Sequence, residues 1–333
     1  MLKFWNFFNI IFFLFGIFFI SIIFSNKAIS FTGSDGEGGW NINNISECNV
    51  SSNGVITITS STSCSFQPNE QKLTIYQLDF CTAAPTAPTT SSSMIKNGCS
   101  TFFKNDNGSE VEVKYQEATA IGSSIDYLKV PFETFSHVVI SFDPVFKFKT
   151  SITFASANVN HHGGSAESTC VTKKPSGGGF FFSYGADANF ARGTVQCGDN
   201  LTPVEFSHFV NSMSQVSTGT GFDCKQSVNF IGSSGTISTH VINSSGNLIN
   251  GEGCVPGNES GIDRILGVLP ITLKVNRNTV GFRIKWINKK GVMLNMDPTD
   301  STSPFTINSI DIAPFDISIE AIQKRSRRRG AWN

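Results

Sequence analysis

The residue pattern predicts a mainly β protein, built of antiparallel, β-sandwich-like domains with disulfide-stapled Gly/Ser-rich loops and one short helix. Three observations carry this. Apolar residues recur at every second position in many short runs, which is the period of a half-buried strand. All eight cysteines lie beyond an apolar leader, and an even count in an exported chain implies disulfides. Helical periodicity is convincing only once, which argues against the βαβ repeats of a doubly wound fold.

Residues 1–30, MLKFWNFFNIIFFLFGIFFISIIFSNKAIS, place Lys3 ahead of an uncharged apolar stretch, Ile10 to Phe24, and end on Ala28-Ile29-Ser30, a small-x-small cleavage pattern. They read as a signal peptide. The alternative is an uncleaved signal anchor, since Phe4 to Phe24 approaches the roughly 20 residues that cross a bilayer. In both cases the rest of the chain is expected outside the cytoplasm, secreted or held at the cell surface.

An N-terminal β domain with four cysteines is expected over 31–155. Val55 to Thr59 is its first strand. Leu73 to Phe80 alternates and then runs through Cys81 into TAAPTAPTTSSS, a Pro/Thr/Ser segment with little to pack, so Cys81 is expected to pin a strand end. EVEVKY, residues 110–115, opposes Val111, Val113 and Tyr115 to Glu110, Glu112 and Lys114. Ile125 to Val130 and His137 to Phe142 are two further strands. VFKFKTSITF, residues 145–154, puts Phe146, Phe148, Ile152 and Phe154 on one face of a single half-buried strand.

Residues 156–260 are rich in Gly, Ser and Asn and read as a loop-rich, cysteine-containing module whose order depends on its bridges. The one helix signal lies here, at 202–216. Thr202 is its N-cap, Pro203 its first position and Glu205 the capping-box carboxylate, with Phe206, Phe209, Val210 and Met213 at helical spacing. Residues 261–323 return to strands that complete the second domain: Ile271 to Val275, the run from Val280 that aligns Phe282, Ile284 and Trp286, and Phe315, Ile317 and Ile319. A basic tail, 324–333, closes the chain.

The cysteines fall into two groups. Cys48, Cys64, Cys81 and Cys99 are separated by 16, 17 and 18 positions, and 71 more pass before Cys170, Cys197, Cys224 and Cys254, separated by 27, 27 and 30. Sequential pairing within each group is the simplest connectivity. No C-x-x-C pair and no zinc-finger spacing occurs, which weighs against metal and redox roles.

The charge balance of 25 basic and 25 acidic residues hides an asymmetry. Without Lys3, Lys27 and the five cations of the tail, the body carries 18 basic residues against 25 acidic ones. That argues against a general nucleic-acid-binding surface on the body, and no specific nucleic-acid binding is expected. The tail cations, Lys324, Arg325, Arg327, Arg328 and Arg329, could instead meet an anionic surface, with Trp332 as an interfacial anchor.

Reaction chemistry is hard to find. The chain lacks a G-x-S-x-G elbow, an H-E-x-x-H site and a phosphate-binding P-loop, and no cofactor is expected. His161 and His162, near Glu167, read as a solvated loop, because adjacent residues on a strand point to opposite faces. Calcium is the one ion with candidate oxygen donors, at Asp35 and Glu37 in TGSDGEGGW and at Asp297 and Asp300 in NMDPTDS. The function expected is therefore non-enzymatic binding, adhesion or assembly outside the cytoplasm. Its partners would be a surface polymer, an envelope component or like subunits. The alternative is a secreted hydrolase, acting on polysaccharide through two facing carboxylates on a β-sandwich.

Overall fold

A computed structural model of the chain describes residues 46–324 apart from 114–116, 118, 162–163, 174–180, 183–193, 210–213, 218–221, 226, 233, 250–260, 288, 298–299 and 313–315. Its strands, in chain order, begin with β1 (Asn49–Val50), β2 (Val55–Thr57), β3 (Cys64–Phe66), β4 (Glu70–Cys81) and β5 (Cys99–Glu112). A 3-10 turn at Ser124–Asp126 precedes β6 (Thr134–Phe142), β7 (Val145–Lys149), β8 (Ser151–Phe154), β9 (Val159–His161), β10 (Thr169–Thr172), β11 (Phe181–Phe182) and β12 (Val195–Cys197). There follow β13 (Phe206–Phe209), β14 (Ser214–Ser217), β15 (Phe222–Lys225), β16 (Ser227–Gly232) and β17 (Gly235–Ile242). The last five are β18 (Arg264–Lys274), β19 (Thr279–Ile287), β20 (Val292–Met296), β21 (Phe305–Ile312) and β22 (Asp316–Gln323). Among the described residues the protein is mainly β and sandwich-like, with almost no helix.

Two hydrophobic cores organise these strands. The first lies on a sheet of order β11-β13-β7-β4-β6-β18-β17-β16, with β5 along the free edge of β4, and a β19–β22 ribbon contributes to it. Alternation explains the ribbon. Cα partners Phe282↔Ala321, Ile284↔Ile319 and Trp286↔Ile317 bring one face of each strand to the core, and Trp286 is fully buried. Phe80, Phe103 and Phe135 are also fully enclosed there, each contributing about 1.5–3 kcal/mol by leaving water. The second core belongs to a five-stranded sheet, β1-β2-β8-β10-β12, and a four-stranded one, β3-β20-β21-β9.

The bridges sit where the sheets need fixing. Cys81 ends β4 and Cys99 opens β5, and the two are directly opposed in register and joined, as are Cys170 and Cys197 across β10 and β12. Cys48–Cys64 ties the chain just before β1 to β3, and so links the two sheets of the second core. The fourth expected pair rests on Cys254, which lies outside the described residues, as do the leader and the chain beyond Lys324.

Four local expectations are corrected. The segment 202–216 is not a helix: Phe206–Phe209 and Ser214–Ser217 are strands. Its Phe, Ser and His residues are indifferent helix formers, and β7 offers a strand edge that pairs Phe206 with Phe148 and Phe209 with Val145. The Glu205 carboxylate, free of capping duty, accepts from Lys72 Nζ at 2.7 Å. Ile125 to Val130 is not a strand either. The Ser123 amide and hydroxyl donate to Asp126 Oδ2, closing a 3-10 turn in competition with any ladder, and Ile125 stands 85 % exposed.

The run 145–154 is two strands in two sheets. At Thr150 the backbone donors turn to side chains: its amide donates to Thr172 Oγ1 and the Ser151 amide to Asn69 Oδ1, which also accepts from Thr150 Oγ1, while the Thr150 carbonyl still accepts from the Thr172 amide. Alternation survives the corner, so Phe146 serves the first core while Phe148, Ile152 and Phe154 serve the second. The Pro/Thr/Ser segment after Cys81 also packs. It folds back through Thr86↔Ile95 and Thr89↔Ser92 bridges and buries Met94 with Cys81, Val139, Ile242 and Leu266 on the far face of the first sheet.

Candidate functional site

Where the β19–β22 ribbon meets the loop between β5 and β6, the first core opens to solvent. The floor is laid by buried apolar residues, Ile121, Val130, Val275 and Ile284. Phe102 on β5 and Phe282 on β19 stand above it, half-buried, with ring centroids 4.5 Å apart and edge to face. Phe80 stacks on Phe102 from within the core at 5.1 Å, and Tyr127 leans on Phe102 at 5.1 Å from the loop side. This aromatic wall bounds an open groove with a cavity volume of about 570 Å³.

Backbone contacts hold both banks. On the loop side the Leu128 amide donates to the Phe102 carbonyl at 2.7 Å, and the Tyr127 hydroxyl donates to the Ile121 carbonyl. Burial raises the Tyr127 phenol above its ordinary value, so it stays a neutral donor. Gly122 turns this loop with φ +62°, and a Cβ there would meet Asp126 Oδ2 at 2.5 Å. On the ribbon side the Thr279 amide donates to the Asn276 carbonyl, Gln323 Nε2 donates to Thr279 Oγ1, and the Lys324 amide donates to the Asn278 carbonyl at 2.7 Å. The turn into β19 is thereby tied to the end of β22.

The mouth is apolar and exposed. Phe132 is 64 %, Val280 63 %, Leu128 48 % and Tyr127 38 % accessible. Of the nine large apolar side chains exposed among the described residues, these four line this one groove, so they form a patch rather than scattered singletons. The charged residues that line it are both cations, Lys129 and Arg277. With no carboxylate among the described lining residues, the groove suits apolar and aromatic contact, with an anion at its rim.

None of the sequence-predicted site residues is among the described residues that line the groove. His161 sits on β9, opposite Ile307, and its Nδ1 accepts the Cys197 amide at 3.2 Å, while His162 lies outside the described residues. Asp300 Oδ2 accepts from the Thr306 amide at 2.6 Å, and the Asp297 amide donates to the Thr306 carbonyl, so both residues belong to the closure of the β20–β21 connection. Asp35 and Glu37 are outside the described residues. Among the described residues, no three His, Cys, Asp or Glu side chains converge as metal ligands. Of the tail cations only Lys324 is described; it is exposed, and the hydrogen bond from its amide to the Asn278 carbonyl places it next in space to the segment that carries Arg277 and Thr279.

Two serine–imidazole contacts serve the sheet. Ser227 and His240 are cross-strand partners on β16 and β17, 2.8 Å apart, and burial pushes the His240 ring below its ordinary value. Ser136 lies 2.9 Å from His137 Nδ1, while its hydroxyl donates to the Thr82 carbonyl.

Sequence reasoning did not find the groove. One signal was present: the even-numbered alternation of β19 extends outward from fully buried Trp286 to Val280, which is mostly exposed. Nothing in the run itself says where the cover stops. No family model, curated protein or solved structure matches the chain.

Proposed function

We propose that the protein works outside the cytoplasm by non-covalent binding, in adhesion or assembly at a cell surface or envelope, with the aromatic groove as its contact site. The observation that carries this reading is the concentration of exposed apolar side chains on one groove with cationic edges. Leaving such a patch in water is unfavourable, and covering the exposed 64 % of Phe132 alone is worth about 1–2 kcal/mol. The three bridges suit an oxidising compartment, and no helix among the described residues is long and apolar enough to cross a membrane.

Retention on the exterior of the producing cell tests this. Wild-type chain is expected in the washed envelope fraction, and a Leu128→Asp/Phe132→Asp variant with its bridges intact is expected in the medium. Equal retention of both would contradict the role of the groove. Release of sugar reducing ends that one Asp or Glu substitution abolishes would favour the hydrolase.

A further inference from the structure

We propose that the face bearing the groove docks on an anionic membrane surface, with the basic tail that continues from Lys324 as a second contact. The proposal rests on the binding reading above and names its partner chemistry. Phe132, Val280 and Leu128 are half to two-thirds exposed around the mouth and would enter the headgroup boundary as apolar contacts. Lys129 and Arg277 flank them. The hydrogen bond from the Lys324 amide to the Asn278 carbonyl fixes the start of the tail beside Arg277 and Thr279 of the rim. Arg325, Arg327, Arg328, Arg329 and Trp332 therefore follow from the groove's own edge.

Charge sign selects the occupant. The tail itself is a poor one, because its arginines would have to approach Lys129 and Arg277. An anionic bilayer meets both features at once, placing apolar groups below the phosphates and cations at them. Glu133, exposed beside Phe132, is the opposing charge on this rim, and the Asp126 carboxylate nearby is held by Ser123. Lys129, Arg277 and Lys324 outnumber these two carboxylates, and the sequence beyond Lys324 adds four arginines.

Sedimentation of full-length chain, recovered from the exported fraction, with phospholipid vesicles tests the proposal. Binding is expected to vesicles containing phosphatidylglycerol and to be weak on pure phosphatidylcholine, and added salt should release the protein. Phe132→Asp/Val280→Asp should lower the partition coefficient about tenfold or more. Replacing the four tail arginines by glutamine should lower it roughly fivefold per charge. Both changes lie on exposed residues or in the tail, and an unchanged near-ultraviolet circular dichroism spectrum certifies the fold. Equal binding to neutral and anionic vesicles, or variants that bind like wild type, would overturn the proposal. So would capture by soluble polyglutamate without vesicle binding, which would point to an acidic polypeptide instead. A chain that stays on its own envelope yet ignores anionic vesicles keeps the binding reading and loses this one.

Discussion

Asp79 is only 2 % exposed and is fully employed: Lys96 Nζ and Thr101 Oγ1 each donate to it at 2.7 Å, and Gln77 Nε2 reaches both of its oxygens. Removing a buried carboxylate strands its donors, so Asp79→Ala should cost about 3 kcal/mol, measured as a fall in the urea midpoint with bridges intact. Protonation acts at the same scale. Burial depresses His240 and His137 below their ordinary 6.5, so the unfolded chain takes up protons first as pH falls. The stability these rings contribute is complete above about pH 6.5 and is lost below it, and His240→Asn should flatten the stability profile between about pH 7.5 and 5.5. Glu70 gives a second, lower window. The Lys149 and Lys72 ammonium groups hold it at about 2 against an ordinary 4.5, so its contribution is lost only as pH falls from about 4.5 toward 2.

At the level of elements, Cys81–Cys99 holds the register of the longest strand pair at its end, and opening it with Cys81→Ser/Cys99→Ser should cost about 3 kcal/mol in thermal or urea unfolding. This junction was legible in the sequence because an alternating run stops at a cysteine. The runs at 73–80, 137–142 and 280–287 were legible for the same reason, since period two is a local property. The failures were decided non-locally. Phe206 to Phe209 took the edge of β7, the face of 145–154 passed from one core to the other between Phe146 and Phe148, and Asp126 captured Ser123 at the start of the run expected as a strand. The groove was illegible for a related reason. Phe102, Phe132 and Val280 are ordinary members of apolar runs, and only the ends of the elements that cover them decide that they face solvent.

Across the whole molecule the chain passes between the sheets of the two cores repeatedly: from β3 to β4, β7 to β8, β10 to β11, β11 to β12, β12 to β13, β19 to β20 and β21 to β22. Ile312 packs against both. Neither core is a continuous piece of sequence, so residues 46–324 should unfold in one transition, with hydrogen-exchange protection of β6 and β20 lost at the same denaturant concentration. On this interlocked frame the exposed groove is the working face we propose. Hydroxyl-radical footprinting of exported protein, on its native envelope and after release from it, tests that claim most directly. The account predicts that Phe132, Leu128 and Val280 are shielded on the envelope and labelled once released, while exposed Val50 and Ile95 are labelled in both states. Unchanged labelling of the groove residues, with protection appearing on another face, would contradict it.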